Sequence, residues 1–292
     1  FARSLEETLV QLVGHSGADA KSVSTQLENI MICSQHRLGR VIQDYVSIFE
    51  ATYSLPLPPE GSDFDDTDMA RGPYLTRYVA FQGMHDVLSF IACFSGNFIP
   101  SLFKRVSSQL SEQLCVTTFR RVLFPRIYPT LIRLYTVAFK DEDELLSSKM
   151  EQFRVLSYRD VALQVGIEEE MWNQLEGIEK SGNQGDGQIS LDLVHPLDDA
   201  VTSLQEIASC SSPEEKLGVL KQTANIIETR LSKYVSSFGA DEFLPIFTFV
   251  LATSNVDGQN LVAQFRFIED FVGNDIHYSI EGYLFTQLEI GL

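Results

Sequence analysis

One apolar run, Gly239-Ala-Asp-Glu-Phe-Leu-Pro-Ile-Phe-Thr-Phe-Val250, predicts a helix that begins at an acidic residue. An interior proline costs a helix about 3 kcal/mol, because it removes a backbone hydrogen bond and clashes with the preceding turn. The first four N–H groups of a helix have no internal partner, so Pro245 is tolerated if Asp241 is the N-cap and Pro245 the fourth helical residue. Two interpretations of Asp241 stay open on spacing alone: an ordinary capping residue and a functional carboxylate.

Helical periodicity extends outward from this run over nearly the whole chain. Apolar residues recur in steps of three and four over residues 20–49, 74–94, 99–114, 117–139, 140–157 and 158–177. Further helices are predicted over residues 197–208, 212–236, 241–252, 261–272 and 280–288. We expect one long helix over residues 20–49, and a kink or break where Pro125 and Pro129 interrupt the pattern. No stretch shows sustained alternation, so the predicted fold class is all-α.

Polar signals mark where helices begin and where they are interrupted. Ser212-Pro-Glu-Glu215 has serine as N-cap, proline at the first helical position and glutamate at the third, which predicts a capping box. An acidic, proline-rich loop is expected over about residues 54–72, and a glycine-rich loop over residues 181–187. The acidic clusters at residues 141–144 and 168–170 are interpreted as solvated helix starts, favoured by the helix dipole.

Composition excludes several classes of partner. The 292 residues contain 40 Asp plus Glu against 22 Lys plus Arg, a formal charge of −18. This balance argues against nucleic acid and against adsorption to an anionic membrane. No apolar run reaches about 18 residues, so no direct membrane insertion is expected. The four scattered cysteines are interpreted as reduced thiols of an intracellular protein, and a start at Phe1 indicates a piece of a longer chain.

The sequence shows no constellation for covalent chemistry. It has no G-x-x-x-x-G-K-[ST] phosphate loop and no G-x-G-x-x-G after a strand. The five histidines have no metal-ligand spacing, and the calcium-loop likeness at residues 182–189 lacks oxygen ligands at the required positions. We therefore expect no metal and no cofactor.

A second candidate region lies near the end of the sequence. Glu281-Gly-Tyr-Leu-Phe-Thr-Gln-Leu288 puts Tyr283 and Thr286 three residues apart, on one face of a predicted helix. Spacing alone leaves open whether Tyr283 is a buried tyrosine of an amphipathic helix or part of a binding surface.

Several motifs together resemble a known family. In order, they are Ser212-Pro-Glu-Glu-Lys-Leu217, Gly239-Ala-Asp-Glu-Phe-Leu-Pro245, Phe267-Ile-Glu-Asp-Phe271 and Glu281-Gly-Tyr-Leu-Phe-Thr286. They are similar to the VPS-nine domain (vacuolar protein sorting nine), the catalytic module of guanine nucleotide exchange factors for early-endosomal Rab GTPases. The likeness covers roughly residues 133–292 and indicates a divergent member.

The resemblance implies a domain organisation and a set of site residues. A helical bundle at residues 1–146 would precede a layered, all-helical exchange domain at residues 147–292, with its core at 197–292. Asp241 matches the family's acidic finger, which points toward the phosphate site of the GTPase. Pro245, Tyr283 and Thr286 match partner-contacting positions. The chain departs from the family in a longer segment at residues 252–260, and in Gln264 near an expected asparagine.

The function implied is release of GDP from an early-endosomal Rab GTPase of the Rab-five subfamily, in endocytic vesicle trafficking. The protein would be cytoplasmic and held at endosomes through partners or flanking regions. An alternative is a non-catalytic scaffold that keeps the fold and binds a Rab, although a scaffold would not need a carboxylate at Asp241. A GTPase-activating role ranks last, because Arg133, Arg230 and Arg266 lie in ordinary helical patterns.

Overall fold

The computed structural model describes residues 2–14, 19–59, 74–101, 112–182, 196–232, 240–254 and 260–272. Every regular element within these ranges is a helix, which confirms the all-α prediction. No helix within them is long and apolar enough to cross a membrane. The chain divides into two compact units, residues 1–138 and residues 139–292.

Unit 1 is arranged around one long helix. Its helices are α1 (Ala2–Gly14), α2 (Ala20–Ile32), α3 (Arg37–Tyr53), α4 (Arg77–Cys93) and α5 (Glu112–Ala138), and a π-helical turn, Phe94–Phe98, follows α4. Helices α2, α3 and α4 all pack against α5, and α1 packs against α2. Aromatic rings fill the interior: Phe94 stacks on Phe119 with centroids 4.0 Å apart. Burial of these rings supplies much of the unit's hydrophobic stabilisation.

The expected long helix over residues 20–49 is wrong, because the chain breaks between α2 and α3. His36 is the N-cap of α3, and its Nδ1 accepts a hydrogen bond from the Leu38 N–H at 3.1 Å. A Cβ at Gly39 would lie 2.2 Å from the carbonyl oxygen of Cys33, so only glycine allows this close turn. The apolar residues keep their helical spacing through the break, so spacing alone does not reveal where α2 ends and α3 begins.

No break occurs at Pro125 and Pro129, since α5 runs continuously from Glu112 to Ala138, and the alternative of a kink there stays a prediction. Both prolines are exposed, and they lie four residues apart on one face of the helix. The carbonyl groups that lose their N–H partners therefore face water, which hydrates them. A solvent-facing pair of prolines is tolerated where a buried one would leave carbonyls unsatisfied.

Unit 2 contains the remaining helices. They are α6 (Lys140–Arg154), α7 (Tyr158–Gln164), α8 (Glu169–Gly182), α9 (Asp198–Gln205), α10 (Pro213–Leu231), α11 (Ala240–Thr253) and α12 (Leu261–Val272), with a 3₁₀ turn, Glu206–Ser209, after α9. Helix α11 packs against α6, α7, α9 and α10, and α12 packs against α6 and α10. The capping box at Ser212 and Glu215 is confirmed. Helix α10 ends at Leu231, before the expected residue 236.

Helix α6 belongs wholly to unit 2. The boundary between the two compact units lies between Ala138 and Phe139 in the sequence, eight residues before the boundary expected after residue 146. The difference arises because α6 packs against α11 and α12, so its first turn belongs with them. The division at residues 146/147 stays a prediction about functional domains.

Candidate functional site

Most of the described side chains of helix α11 are buried. Among its described side chains, Leu244, Pro245, Thr248 and Thr253 are half-buried and the others are buried. Positions 241, 244, 245 and 248 are spaced by three and four residues, so they form one stripe along the helix. Its described members, Leu244, Pro245 and Thr248, are partly accessible, and helical spacing puts position 241 in line with them.

Asp241 lies in the first turn of α11. The helix begins at Ala240, so Asp241 is its second residue rather than the expected N-cap. The side chain of Asp241 lies outside the described part of the structure. First-turn acids are favourable, because the unpaired N–H groups give the helix start a partial positive charge.

Pro245 is the sixth helical residue instead of the expected fourth, and it is half-buried. With no N–H to donate, Pro245 leaves the carbonyl of Asp241, four residues earlier, without its usual helical donor. Beside it runs the turn between α7 and α8, where Gly166 has a φ of +97°. A Cβ on Gly166 would lie 4.0 Å from the Cγ of Pro245, an ordinary van der Waals distance.

Two phenylalanines of α11, Phe243 and Phe249, belong to the core. Phe249 is fully buried; its ring meets Trp172 edge-on at 5.4 Å and Tyr158 at 6.4 Å. Phe243 is buried and stacks on Phe247 at 5.7 Å. Leu244 differs from them, since it stays half-buried on the accessible stripe.

The interpretation of residues 141–144 as a solvated helix start is wrong for Asp143, which is buried. Its Oδ1 accepts a hydrogen bond from the Val262 N–H at 2.7 Å, and its Oδ2 accepts one from the Ala263 N–H at 3.2 Å. Burial raises the pKa of the Asp143 carboxyl above its ordinary value, and these two hydrogen bonds partly oppose the rise. No local pattern reveals this role, because the bonded groups lie about 120 residues further along the chain.

Lys216, the lysine of the P-x-x-K-L motif, has no exposed surface. Its Nζ donates a hydrogen bond to the Ile207 carbonyl oxygen at 2.6 Å and lies 5.9 Å from the centroid of the Phe267 ring. Burial lowers the pKa of Lys216 from 10.5 to about 8, although Cys210 and Glu215 act in the opposite direction. These contacts join α10 to the turn after α9 and to α12, so the motif lysine holds unit 2 together.

The remaining predicted positions have different outcomes. Gln264 is buried on α12. Tyr283 and Thr286, the predicted helix over residues 280–288 and the glycine-rich loop from residue 183 onward lie outside the described residues. Among the arginines considered for a GTPase-activating role, Arg230 pairs with Asp199 and Arg266 with Glu269. Within the described ranges, no group of three or more His, Cys, Asp or Glu side chains is placed to hold a metal ion.

Comparison with known proteins finds a family match within unit 2. Residues 197–292 match the model of the vacuolar sorting protein 9 (VPS9) domain. ALS2 C-terminal-like protein of Mus musculus is 22% identical over 98% of this chain and 29% of its own length. Alsin of Homo sapiens is 26% identical over 58% of this chain and 10% of its own length. VPS9 domain-containing protein 1 of Homo sapiens is 24% identical over 65% of this chain and 30% of its own length.

These matches confirm the resemblance found in the motifs. The chain spans less than a third of the length of each of these relatives. The family match starts at residue 197, so α6, α7 and α8 precede it although they pack into the same unit.

Proposed function

We propose, from the match of residues 197–292 to the VPS9 domain model, that the chain is a guanine nucleotide exchange factor that releases GDP from a Rab GTPase. The family match supports an exchange factor directed at Rab proteins. We further propose that the substrate belongs to the Rab-five subfamily and that the activity serves endocytic trafficking. Attachment to endosomes would come through partners or flanking regions.

The observation that carries the proposal is the accessible stripe of α11. Its buried side fixes the helix in the core, while Leu244, Pro245 and Thr248 stay half-buried beside position 241. An acid at the start of a rigid helix, next to a small accessible apolar surface, suits insertion toward a partner's phosphate site. Asp241 and Pro245 hold the positions that the family uses for its acidic finger and its partner contact.

Exchange by Asp241 requires no covalent step. A bound nucleotide is held by a lysine of the GTPase phosphate loop and by Mg²⁺. The Asp241 carboxylate would compete with the phosphates for that lysine and disfavour the bound Mg²⁺, so both groups that hold the nucleotide would hold it less tightly. A protein that binds the nucleotide-free GTPase more tightly lowers nucleotide affinity by the same factor, because the two binding equilibria are linked.

Tyr283 and Thr286 complete the proposed contact. We assign them to the switch region of the GTPase, with Pro245 contacting the partner beside the acidic finger. Tyr283→Ala is expected to weaken binding to the nucleotide-free GTPase, because a tyrosine contributes a large contact area and a polar hydroxyl.

The direct test measures release of fluorescent GDP from a panel of Rab proteins, with and without this chain. We expect acceleration on one subfamily, and we expect Asp241→Ala to slow that release about 50-fold. Asp198→Ala is the matched control, because Asp198 is an exposed aspartate in the first turn of α9, within the same domain. Both changes should alter the free energy of unfolding by only about 1 kcal/mol, the scale of a helix-end interaction.

Each result separates one explanation from the others. Loss of exchange in Asp241→Ala with an unchanged thermal melt supports the acidic finger. An unfolded Asp241→Ala variant would make the role structural. Binding to nucleotide-free Rab without acceleration would favour the scaffold, and a chain that neither binds nor accelerates any Rab contradicts the proposal.

A further inference from the structure

Helix α7 ends in a turn that its own backbone holds in place. Gly166, the second residue after the helix, has a φ of +97°, a left-handed conformation that glycine adopts without steric cost. Its N–H donates to the Leu163 carbonyl oxygen at 3.2 Å. The Ile167 N–H donates to the Ala162 carbonyl oxygen at 2.9 Å. This pair of hydrogen bonds is the Schellman motif, and it gives the end of α7 a fixed shape.

The same turn lies against the accessible stripe of α11. Helix α7 packs against α11, and a Cβ on Gly166 would lie 4.0 Å from the Cγ of Pro245. Among the described residues, and apart from the two neighbours of Gly166 in the chain, no other atom lies within 4 Å of that Cβ position. Gly166 is exposed, so the accessible surface of the stripe continues from Pro245 onto the turn.

The side chain that α7 exposes beside this turn is apolar. Leu163 is 42% exposed, while Ala162 and Ile167 are buried. Leu163 and Gly166 are joined by a backbone hydrogen bond, and Gly166 adjoins Pro245. The apolar surface of the stripe therefore extends across Gly166 to the end of α7.

The stripe alone is small for a protein partner. A specific protein–protein interface buries on the order of 800 Å² of each partner. Leu244, Pro245 and Thr248 are the members of the stripe whose side chains are described, and each is half-buried. Three partly accessible side chains supply a small part of that area, so a partner that docks here has to contact neighbouring surface as well. The end of α7 is described surface that adjoins Pro245.

We propose that the Rab GTPase docks on the end of α7 as well as on the stripe of α11, with Leu163 as a docking residue and Gly166 as the opening through which the partner reaches Pro245. The proposal rests on the exchange function argued above. It places part of the docking surface before residue 197, where the match to the VPS9 model begins. An apolar protein surface fits this site, because Leu163 adds apolar area and a glycine lets another backbone approach closely.

The first test is steady-state GDP exchange by the full chain and by its Leu163→Ala variant. A docking contact is made equally in the ground state and in the transition state, so its loss raises KM without lowering kcat. We expect KM for the GTPase to rise about fivefold, the scale of partly burying one leucine, and kcat to stay within about twofold. Leu145→Ala is the matched control, because Leu145 is a 60% exposed leucine on α6 of the same unit. It should leave both constants unchanged.

The second test narrows the opening at Gly166. Gly166→Asn would place a side chain over the approach to Pro245, and we expect KM to rise about tenfold. Gly166→Ala is the matched control for backbone strain, because asparagine tolerates a positive φ better than alanine does. Obstruction of the partner should make the asparagine variant the worse of the two, whereas strain alone would give the opposite order. Thermal melts of both variants measure the strain directly.

Binding of nucleotide-free Rab separates this inference from the proposed function. Leu163→Ala should weaken that binding about fivefold, and Leu145→Ala should leave it unchanged. If the wild-type chain binds nucleotide-free Rab but accelerates no release of GDP, the exchange function fails. A fivefold loss of binding in Leu163→Ala would still support the docking surface in that case.

Three results would overturn the docking surface while the exchange function stands. The first is exchange and binding by Leu163→Ala that match the wild type. The second is a larger KM for Gly166→Ala than for Gly166→Asn. The third is a Leu163→Ala variant with a lowered melting temperature and a lowered kcat, which would make the role of Leu163 structural. A wild-type chain that neither binds nor accelerates any Rab would reject the exchange function and this inference together.

Discussion

Two buried hydroxyls of unit 1 and two buried charges of unit 2 are satisfied in different ways. In unit 1, buried hydroxyls reach charged side chains that keep some contact with solvent: Ser24 accepts a hydrogen bond from Arg121 at 2.6 Å, and Thr130 donates one to Glu50 at 2.6 Å. In unit 2, Asp143 and Lys216 are themselves buried, and each bonds to backbone groups near a helix end. These two hydroxyls of unit 1 join helices along their lengths, and these two charges of unit 2 join helices at their ends.

Because the charged groups differ in burial, the loss of these contacts should cost different amounts of stability. A charge that keeps part of its hydration loses little when one bond is removed. A fully buried charge has given up its water, so its backbone partners must replace that hydration. Removing one of the two buried charges of unit 2 should therefore lower stability more than removing one of the hydroxyl contacts of unit 1.

Removing Lys216 should have the largest effect on stability. Lys216→Ala would leave a cavity and an unsatisfied, buried Ile207 carbonyl, at a cost of about 3 kcal/mol. Lys216→Met fills most of the volume, so it should cost clearly less than Lys216→Ala. Urea denaturation of the three proteins measures both values. Equal costs for the two variants would show that the hydrogen bond, rather than packing, accounts for the stability.

The same lysine should give stability a specific pH dependence. Its pKa in the folded protein is lowered to about 8 from 10.5, so between these values the unfolded chain binds more protons. The contribution of Lys216 is therefore fully present above about pH 10.5 and is lost as pH falls through about 8. Relative to Lys216→Met, the wild type should gain stability as pH rises from 8 to 10.5. A difference that stays constant over this range would contradict the burial of the ammonium group.

A smaller effect is expected for a hydroxyl of unit 1. Thr130→Val keeps the shape of the side chain but removes the hydrogen bond to Glu50, so it should cost about 1.5 kcal/mol. Thr136→Val is the matched control on the same helix, because the Thr136 hydroxyl bonds only to the Ile132 carbonyl of its own helix in the contacts described. Chemical denaturation should show almost no loss for the control. A loss as large as that of Lys216→Ala would remove the contrast between the units.

The sequence predicted features that depend on neighbouring residues. The all-α class, the exact span of α12 and the capping box at Ser212 follow from periodicity and local hydrogen bonding, and all three are confirmed. Features that depend on distant contacts were missed. In the turn before α3, the Cys33 backbone lies too close to Gly39 for any other residue there, and tertiary packing leaves Pro125 and Pro129 exposed to solvent in an unbroken helix.

The candidate site also contains residues that a local pattern predicts, and unit 2 contains a buried acid that no local pattern predicts. Asp241 and Pro245 were found from a local motif, and their shared helix face follows from their spacing of four residues. Asp143 had no comparable signal, because an acid in the first turn of α6 also fits a solvated helix start. Its role depends on α12 being folded beside it, which no short motif encodes.

The smallest predicted effect compares the local cap of α10 with the distant cap of α12. Ser212 Oγ accepts from the Glu215 N–H at 3.2 Å, and a Glu215 carboxylate oxygen accepts from the Ser212 N–H at 3.1 Å. Ser212→Ala should cost about 1 kcal/mol, as for an ordinary N-cap. Because both partners belong to one turn, the loss should stay within α10, and GDP release measured well below the melting temperature should be unchanged. Thermal melts of Ser212→Ala and Asp143→Asn would make the comparison, and we expect the larger loss of stability for Asp143→Asn, because its two hydrogen bonds are buried. An equal loss for the two variants would show that the distant cap contributes no more than a local one.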